Sequence, residues 1–97
     1  MKAKHVRMDQ EVLLTVGRTI RRFRERLALT QEEFAQAADL DRSFYGRVER
    51  GSQHIALTTL CILAASLKVH PSELLSDIKE ADCAALKPSR RRRRPID

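Results

Sequence analysis

The chain has little of the residue types that build tight turns, disulfide frameworks and aromatic cores. Its 97 residues include three Gly, three Pro, two Cys and no Trp, and aromatic residues make up 4%. Scarce Gly and Pro disfavour folds that need many tight turns. The two cysteines, Cys61 and Cys83, exclude a disulfide framework and lack the spacing of a metal site. We therefore expect a helical protein with an aliphatic core in a reducing, cytoplasmic setting.

Long apolar runs are also missing. A membrane-spanning helix needs about 20 consecutive apolar residues, and the sequence has no such run. The basic N-terminus, residues 1–5, is not followed by the apolar stretch of a secretory signal. The length allows one domain. We expect no membrane partner.

The charge is positive and unevenly distributed. The formal net charge is +6, and five of the 19 basic residues are the consecutive arginines at 90–94. Such an excess favours nucleic acid as a partner, although solubility alone is an alternative. The arginine run, Arg90 to Arg94, would add phosphate affinity without sequence preference, unless it is only a solvated tail.

Apolar residues recur at steps of three and four in five segments, the period of amphipathic helices. The predicted helices cover residues 9–27, 31–38, 42–50, a stretch from Thr58 or Thr59 through Leu67, and 71 to about 78 or 79. Gly17 leaves open a later start of the first helix. The helices form a predicted domain at 9–80, between a flexible arm at 1–8 and a disordered Arg-rich tail at 81–97.

Start and stop signals place the middle helices. Thr30 and Glu33 have the spacing of a capping box, Asp41 is a suitable N-cap, and Gly51 is a suitable helix end. Because only three residues separate the second helix from the third, the two must cross steeply, and Ala35 is small enough for the crossing. This pattern indicates a helix-turn-helix.

Enzyme chemistry has little support in the sequence. The histidines, His5, His54 and His70, are scattered, and neither cysteine has a neighbouring base. No Gly-rich phosphate loop is present. We predict no catalytic residue, no metal and no cofactor, and we interpret Cys61 on the apolar fourth helix as core filler.

Five motifs in a fixed order resemble the Cro/phage-repressor type of helix-turn-helix domain, also called the Xre family. They are RRFRERLALTQEEFA at 21–35, LDRSF at 40–44, VERG at 48–51, LTTL at 57–60 and VHPSELL at 69–75. The length and the LDRSFY and ERG segments are most similar to controller proteins of restriction–modification systems. The resemblance implies an all-α, compact five-helix bundle of the lambda-repressor-like type.

The resemblance also implies roles for individual residues. The third helix would enter the major groove, and the second would lie across the phosphate backbone. The residues that would face base edges are Arg42, Ser43, Phe44 and Arg47. The residues that would contact the DNA backbone are Gln31, Arg50, Ser52, Gln53 and His54. Arg24 and Glu49 match a structural ion pair that ties the first helix to the third.

Structural alternatives remain open for several of these residues. The arginines of the third helix have a solvated-surface alternative, Phe44 has a core-packing alternative, and Arg50 could neutralise the helix C-terminus. Gly46 costs about 1 kcal/mol relative to alanine within a helix, which suggests a close approach to the DNA backbone.

Three positions depart from the family pattern. Asp39 and Ala28 stand where glycine is usual. Asp tolerates the left-handed conformation better than most residues, whereas the end of the first helix at Ala28 must be built differently. Tyr45 stands where a branched aliphatic residue is usual, so its hydroxyl needs a partner or an exit to water.

The resemblance predicts a sequence-specific transcriptional regulator that binds double-stranded DNA as a homodimer at an inverted-repeat operator. An alternative is a protein-interaction module, such as an antitoxin that sequesters a protein partner. RNA binding through the arginine run is a third interpretation, and it explains none of the helical motifs.

Overall fold

The structure, a computed structural model, describes residues 8–86. These residues form six helices and no strand. The helices are α1 (Met8–Arg26), α2 (Gln31–Ala37), α3 (Arg42–Arg50), α4 (Leu57–Leu67), α5 (Pro71–Leu75) and α6 (Glu80–Ala85). The all-helical class agrees with the prediction, whereas the five-helix count does not.

The core lies where α1 packs against α3, α4 and α5 and where α2 packs against α3. Its largest fully buried side chains are Tyr45, Phe34, Ile20, Leu63, Leu74 and Val48. The rings of Phe34 and Tyr45 are tilted against each other with centroids 5.0 Å apart. The backbones of α1 and α3 come close together at Gly17. A Cβ at this position would lie 2.6 Å from the carbonyl oxygens of Val48 and Glu49. Gly17 therefore lets the backbones of α1 and α3 touch.

The predicted caps of the helix-turn-helix are present. The Thr30 hydroxyl accepts a hydrogen bond from the backbone amide of Glu33. The Glu33 carboxylate accepts one from the backbone amide of Thr30, which completes the capping box. Asp41 caps α3 through the amide of Phe44, and Gly51 ends it with φ +76°. Ala35 is buried where α2 meets α3.

Several boundaries differ from the sequence predictions. α1 is continuous from Met8, so the later start near Gly17 is wrong. α4 begins at Leu57 rather than Thr58 or Thr59, after Ala56 as N-cap. α5 ends at Leu75, because the Ser76 hydroxyl donates to the Glu73 carbonyl and the next residues turn back toward α1.

The sixth helix lies in the segment assigned to the tail. α6 packs against α1, and Asp82 accepts a hydrogen bond from the Lys79 amide at its start. Nearby, Asp77 accepts from Thr19 and Arg22 of α1. Because of these contacts, the helical domain continues past residue 80. The predicted arm, except Met8, and the arginine run lie outside the described residues.

The assignment of Cys61 to the core is wrong. α4 is apolar on more than one side but buries only the side with Leu60, Leu63, Ala64 and Leu67. Cys61 is exposed, as are Ile62 and Leu57. Apolar composition alone does not distinguish the two sides of this helix.

Among residues 8–86, three non-glycine residues have left-handed backbone, Ala28, Asp39 and Lys68, and the first two stand where the family pattern has glycine. Asp39 has φ +59° in the turn between α2 and α3. Ala28 has φ +61° at the end of α1, so the expectation that this helix end is built differently is wrong. A residue with a Cβ pays about 1–2 kcal/mol in this conformation. Asp39 pays less because its short polar side chain tolerates the conformation, so the larger cost is at Ala28.

Ala28→Gly should therefore raise the free energy of unfolding by about 1 kcal/mol. The matched control is Ala65→Gly on the exposed side of α4, where the same substitution should lower it by about 1 kcal/mol. Urea titration followed by circular dichroism measures both. A destabilisation by Ala28→Gly as large as that by Ala65→Gly would contradict the strain at Ala28.

Candidate nucleic-acid interface

The carboxylate of Glu49 is the centre of a buried polar cluster. Nε of Arg24 donates to Oε2 of Glu49 at 2.6 Å, and Nη2 donates to Oε1 at 2.9 Å. The hydroxyl of Tyr45, one turn earlier on α3, donates to Oε2 as well. The side chains of Arg24 and Glu49 are 10% and 3% exposed. The family ion pair is thus in place here as a bidentate, nearly dry contact between α1 and α3.

The second helix is joined to the same carboxylate. Nε2 of Gln31, the first residue of α2, donates to Oε1 of Glu49 at 2.9 Å. Nη1 of Arg24 donates to the carbonyl of Leu29 at 2.7 Å, in the turn before α2. Arg24, Gln31, Tyr45 and Glu49, called here the Glu49 cluster, therefore fix α1, α2 and α3 relative to one another.

The hydrogen bonds shift the titration of the cluster. Burial by itself raises the pKa of Glu49, but the hydrogen bonds from Arg24, Tyr45 and Gln31 outweigh it and hold that pKa below its ordinary value. The hydrogen bond to Glu49 raises the pKa of Arg24. Burial, followed by the hydrogen bond to Glu49, raises the pKa of Tyr45. At neutral pH the cluster holds a carboxylate, a guanidinium and a neutral phenol.

The opposite side of α3 is polar and basic. Tyr45, Val48 and Glu49 are buried in the protein, whereas Arg42, Ser43 and Arg50 are exposed. A shallow concavity there is lined by Gln31, Arg42, Ser43, Gly46, Arg47 and Arg50. Three of these six residues are arginines and none is acidic, so the lining suits an anionic partner.

The predicted base-reading residues share this surface to different degrees. Arg42 and Ser43 are exposed at the start of α3. Phe44 is half-buried and packs against the core, so its core-packing alternative describes part of its role. Arg47 is also half-buried, and its guanidinium carbon lies 6.0 Å from the centre of the Phe44 ring.

The residues predicted to contact the DNA backbone differ in their exposure. Arg50, Ser52 and His54 are exposed, and the Ser52 hydroxyl donates to the Arg47 carbonyl. Gln31 donates to Glu49, and Gln53 accepts from Arg47, so both amides already have partners within the protein. These hydrogen bonds hold both side chains in place.

Gly46 lies at the centre of the concavity. A Cβ there would meet Nη1 of Arg50 at 3.3 Å and Oε1 of Gln31 at 3.9 Å, both at the ends of side chains. Packing within the protein therefore leaves space for a methyl group at this position with a small shift of Arg50. The fold alone gives no strong reason for glycine, and the close approach of a ligand stays a prediction.

Three hydrogen bonds, two in the Glu49 cluster and one at the end of α3, were not predicted from the sequence. The Tyr45–Glu49 bond had a signal, because residues four apart on a helix are neighbours. The Gln31–Glu49 bond joins residues 18 apart, and the Arg47–Gln53 bond crosses the end of α3. No local pattern indicates either of these.

Other kinds of site have no support in the described chain. Residues 8–86 contain no group of three or more His, Cys, Asp or Glu residues placed to hold a metal ion. Over the same residues, no helix combines the length and the apolarity needed to cross a bilayer.

Comparison with known proteins agrees with this geometry. The helix-turn-helix family model matches residues 20–74, which include all of α2, α3 and α4. The chain belongs to the helix-turn-helix family. It is accordingly a DNA-binding transcriptional regulator, and the matched segment contains the whole Glu49 cluster and the basic surface of α3.

Similar proteins include control proteins. The chain is 35% identical over 71 residues to control protein C.MunI of Mycoplasma, a match covering 72% of this chain and 96% of that protein. It is 35% identical over 69 residues to control protein C.SmaI of Serratia marcescens, covering 71% and 80%. The structure of the restriction–modification controller protein C.AhdI of Aeromonas hydrophila aligns with a TM-score of 0.62 and 39% identity, covering 64% and 94%. These similarities give no support to the antitoxin alternative.

The depressed pKa of Glu49 makes stability depend on pH. Its contribution to the free energy of unfolding is complete above its ordinary pKa of 4.5 and is lost as pH falls through the lower, folded-state value. Glu49→Gln should lower the free energy of unfolding at pH 7 by about 3 kcal/mol, because Arg24 loses its buried counter-charge. The difference from the wild type should shrink below pH 4.5.

The control is Glu25→Gln in the Arg21–Glu25 pair of α1, whose side chains are 62% and 53% exposed. This exposed pair should change the free energy of unfolding by less than about 0.5 kcal/mol. Urea titrations at pH 7 and at acidic pH compare the two variants. Equal effects of both substitutions, or a Glu49→Gln effect that does not change with pH, would show that the cluster is not the stabilising contact described here.

Proposed function

We propose that this regulator is an autoregulatory control protein that binds, as a homodimer, an inverted-repeat operator and reads it with α3. The observation that carries the proposal is the basic, acid-free outer side of α3, backed by the Glu49 cluster. The similarity to control proteins C.MunI and C.SmaI supports the choice of a control protein over other kinds of regulator.

Side chains at the start and in the middle of α3 would read the bases. An arginine in the major groove donates two parallel hydrogen bonds to O6 and N7 of guanine, which gives about 1–3 kcal/mol of discrimination. Arg42 and Arg47 supply these groups, Ser43 can donate to a base or a phosphate, and the half-buried Phe44 can contact a thymine methyl group. We assign these four residues to direct recognition.

Contacts to the DNA backbone would be made on both sides of α3. Arg50 and the loop residues Ser52 and His54 are exposed at the end of α3, and Gln31 lies at the start of α2. Contacts to phosphates from both sides would fix the depth and angle of α3 in the groove without reading sequence.

A dimer is proposed because one reading helix spans few base pairs. Specific binding then takes two half-sites about one helical turn apart, related by the protein's two-fold axis. The exposed apolar side chains of Leu57, Ile62 and Leu75, which are 73%, 46% and 40% exposed, support self-association through α4 and α5.

Selection of binding sites from random duplex DNA tests the proposal. The wild-type protein at near-physiological salt should enrich an inverted repeat, and Arg42→Ala should lose preference at one base pair of each half-site, with about tenfold weaker binding. Arg21→Ala, an exposed arginine of α1, is the control and should keep the same repeat. Salt-sensitive binding without an enriched motif would refute a sequence-reading function.

The arginine run supplies a separate prediction. If residues 90–94 lie along phosphates, replacing all five by glutamine should weaken binding to every duplex by the same factor. The plot of log affinity against log salt should become shallower by up to about 4.5. Binding measured at several salt concentrations, with the enriched repeat and a scrambled duplex, gives both quantities. A loss confined to the enriched repeat would show that the run contributes to specificity instead.

A further inference from the structure

Gln53 connects the loop after α3 to the guanidinium of Arg47. Nε of Arg47 donates to Oε1 of Gln53 at 2.9 Å, and Nε2 of Gln53 donates to the carbonyl oxygen of His54 at 3.1 Å. The reverse orientation of the amide would set an N–H against an N–H, so the two contacts fix which way it faces. The side-chain oxygen of Gln53 is thereby committed to Arg47.

The end of α3 places Gln53 in this position. Gly51 adopts φ +76°, its amide donates to the Val48 carbonyl, and the Ser52 amide donates to the Arg47 carbonyl at 3.0 Å. This pair of hydrogen bonds ends the helix and turns the chain back along it. A residue six positions after Arg47 therefore returns to the Arg47 side chain.

The contact leaves one edge of the guanidinium for a ligand. Arginine has N–H groups on Nε, Nη1 and Nη2 in a fixed plane. Nε is used by Gln53, and the Phe44 ring lies 6.0 Å from the guanidinium carbon. Nη1 and Nη2 remain, and together they present two parallel donors, which match O6 and N7 of guanine.

We propose that Gln53 is a positioning residue for base recognition, which holds Arg47 so that Nη1 and Nη2 face a guanine in the major groove. The inference rests on the proposed function, because it requires α3 to read bases. It gives Gln53 a different role from the phosphate contact that the family resemblance implies. A phosphate contact would act on all sequences alike, whereas a positioning residue acts only where Arg47 reads.

Two substitutions of Gln53 separate these roles. Gln53→Met keeps the approximate size but removes the acceptor for Nε of Arg47. Gln53→Glu keeps an acceptor while adding a negative charge near the phosphates. Arg47→Ala is the reference variant. Dissociation constants are measured for the enriched operator and for operators changed at one base pair at a time, and the pair read by Arg47 is the one at which Arg47→Ala loses preference.

The wild type should prefer the operator at that pair by about tenfold. Gln53→Met should reduce this preference to about twofold or less and leave the preferences at other pairs unchanged. Gln53→Glu should bind every duplex more weakly because of its charge but retain most of the preference. Adding Gln53→Met to Arg47→Ala should have no further effect, since the two residues act through one contact. Unfolding midpoints of the Gln53 variants should match the wild type.

Each other outcome overturns the inference in a recognisable way. Full preference in Gln53→Met, or equal loss in Gln53→Met and Gln53→Glu, would show that the acceptor does not position Arg47. Weaker binding of Gln53→Met to all duplexes alike would establish a phosphate contact. If Arg47→Ala keeps every preference, Arg47 reads no base. If the wild type itself has no preferred site, the proposed function fails as well.

Discussion

The hydrogen bonds to the carboxylate of Glu49 are the interaction on which the arrangement of α1, α2 and α3 depends. It accepts hydrogen bonds from Arg24 of α1, Gln31 of α2 and Tyr45 of α3, in a place from which water is nearly excluded. A buried charge is costly unless it is paired and hydrogen-bonded, and here it is both. The side chains that donate hydrogen bonds to this carboxylate also fix the orientation of α3 relative to α1 and α2.

The consequence is a helix with two separate tasks. The inner side of α3 carries Tyr45, Val48 and Glu49 and is part of the core, while the outer side carries arginines and a serine. Because the inner side is held by packing and by the Glu49 cluster, the backbone of α3 does not have to be ordered when DNA binds, which lowers the entropy cost of recognition. Gly17 also helps to hold α3 in place, because it lets the backbone of α1 approach the last turn of α3.

Local signals in the sequence predicted the helix-turn-helix well. The capping box of Thr30, the cap at Asp41 and the end at Gly51 each depend on residues a few positions apart, and each is present. What depends on tertiary contacts was not predicted. The exposure of Cys61 was not predicted because α4 is apolar on more than one side, so its composition does not show which side is buried. The contact between Gln53 and Arg47 was not predicted because it forms only when the chain turns back at the end of α3.

If the outer side of α3 faces DNA, as we propose, binding of an operator should change the surroundings of its backbone amides. Titration of the 15N-labelled protein with the operator duplex, followed by amide chemical shifts, measures this. We expect the largest changes in α3, at the start of α2 and in residues 52–55. Changes concentrated in α4 and α5, with α3 unaffected, would contradict it.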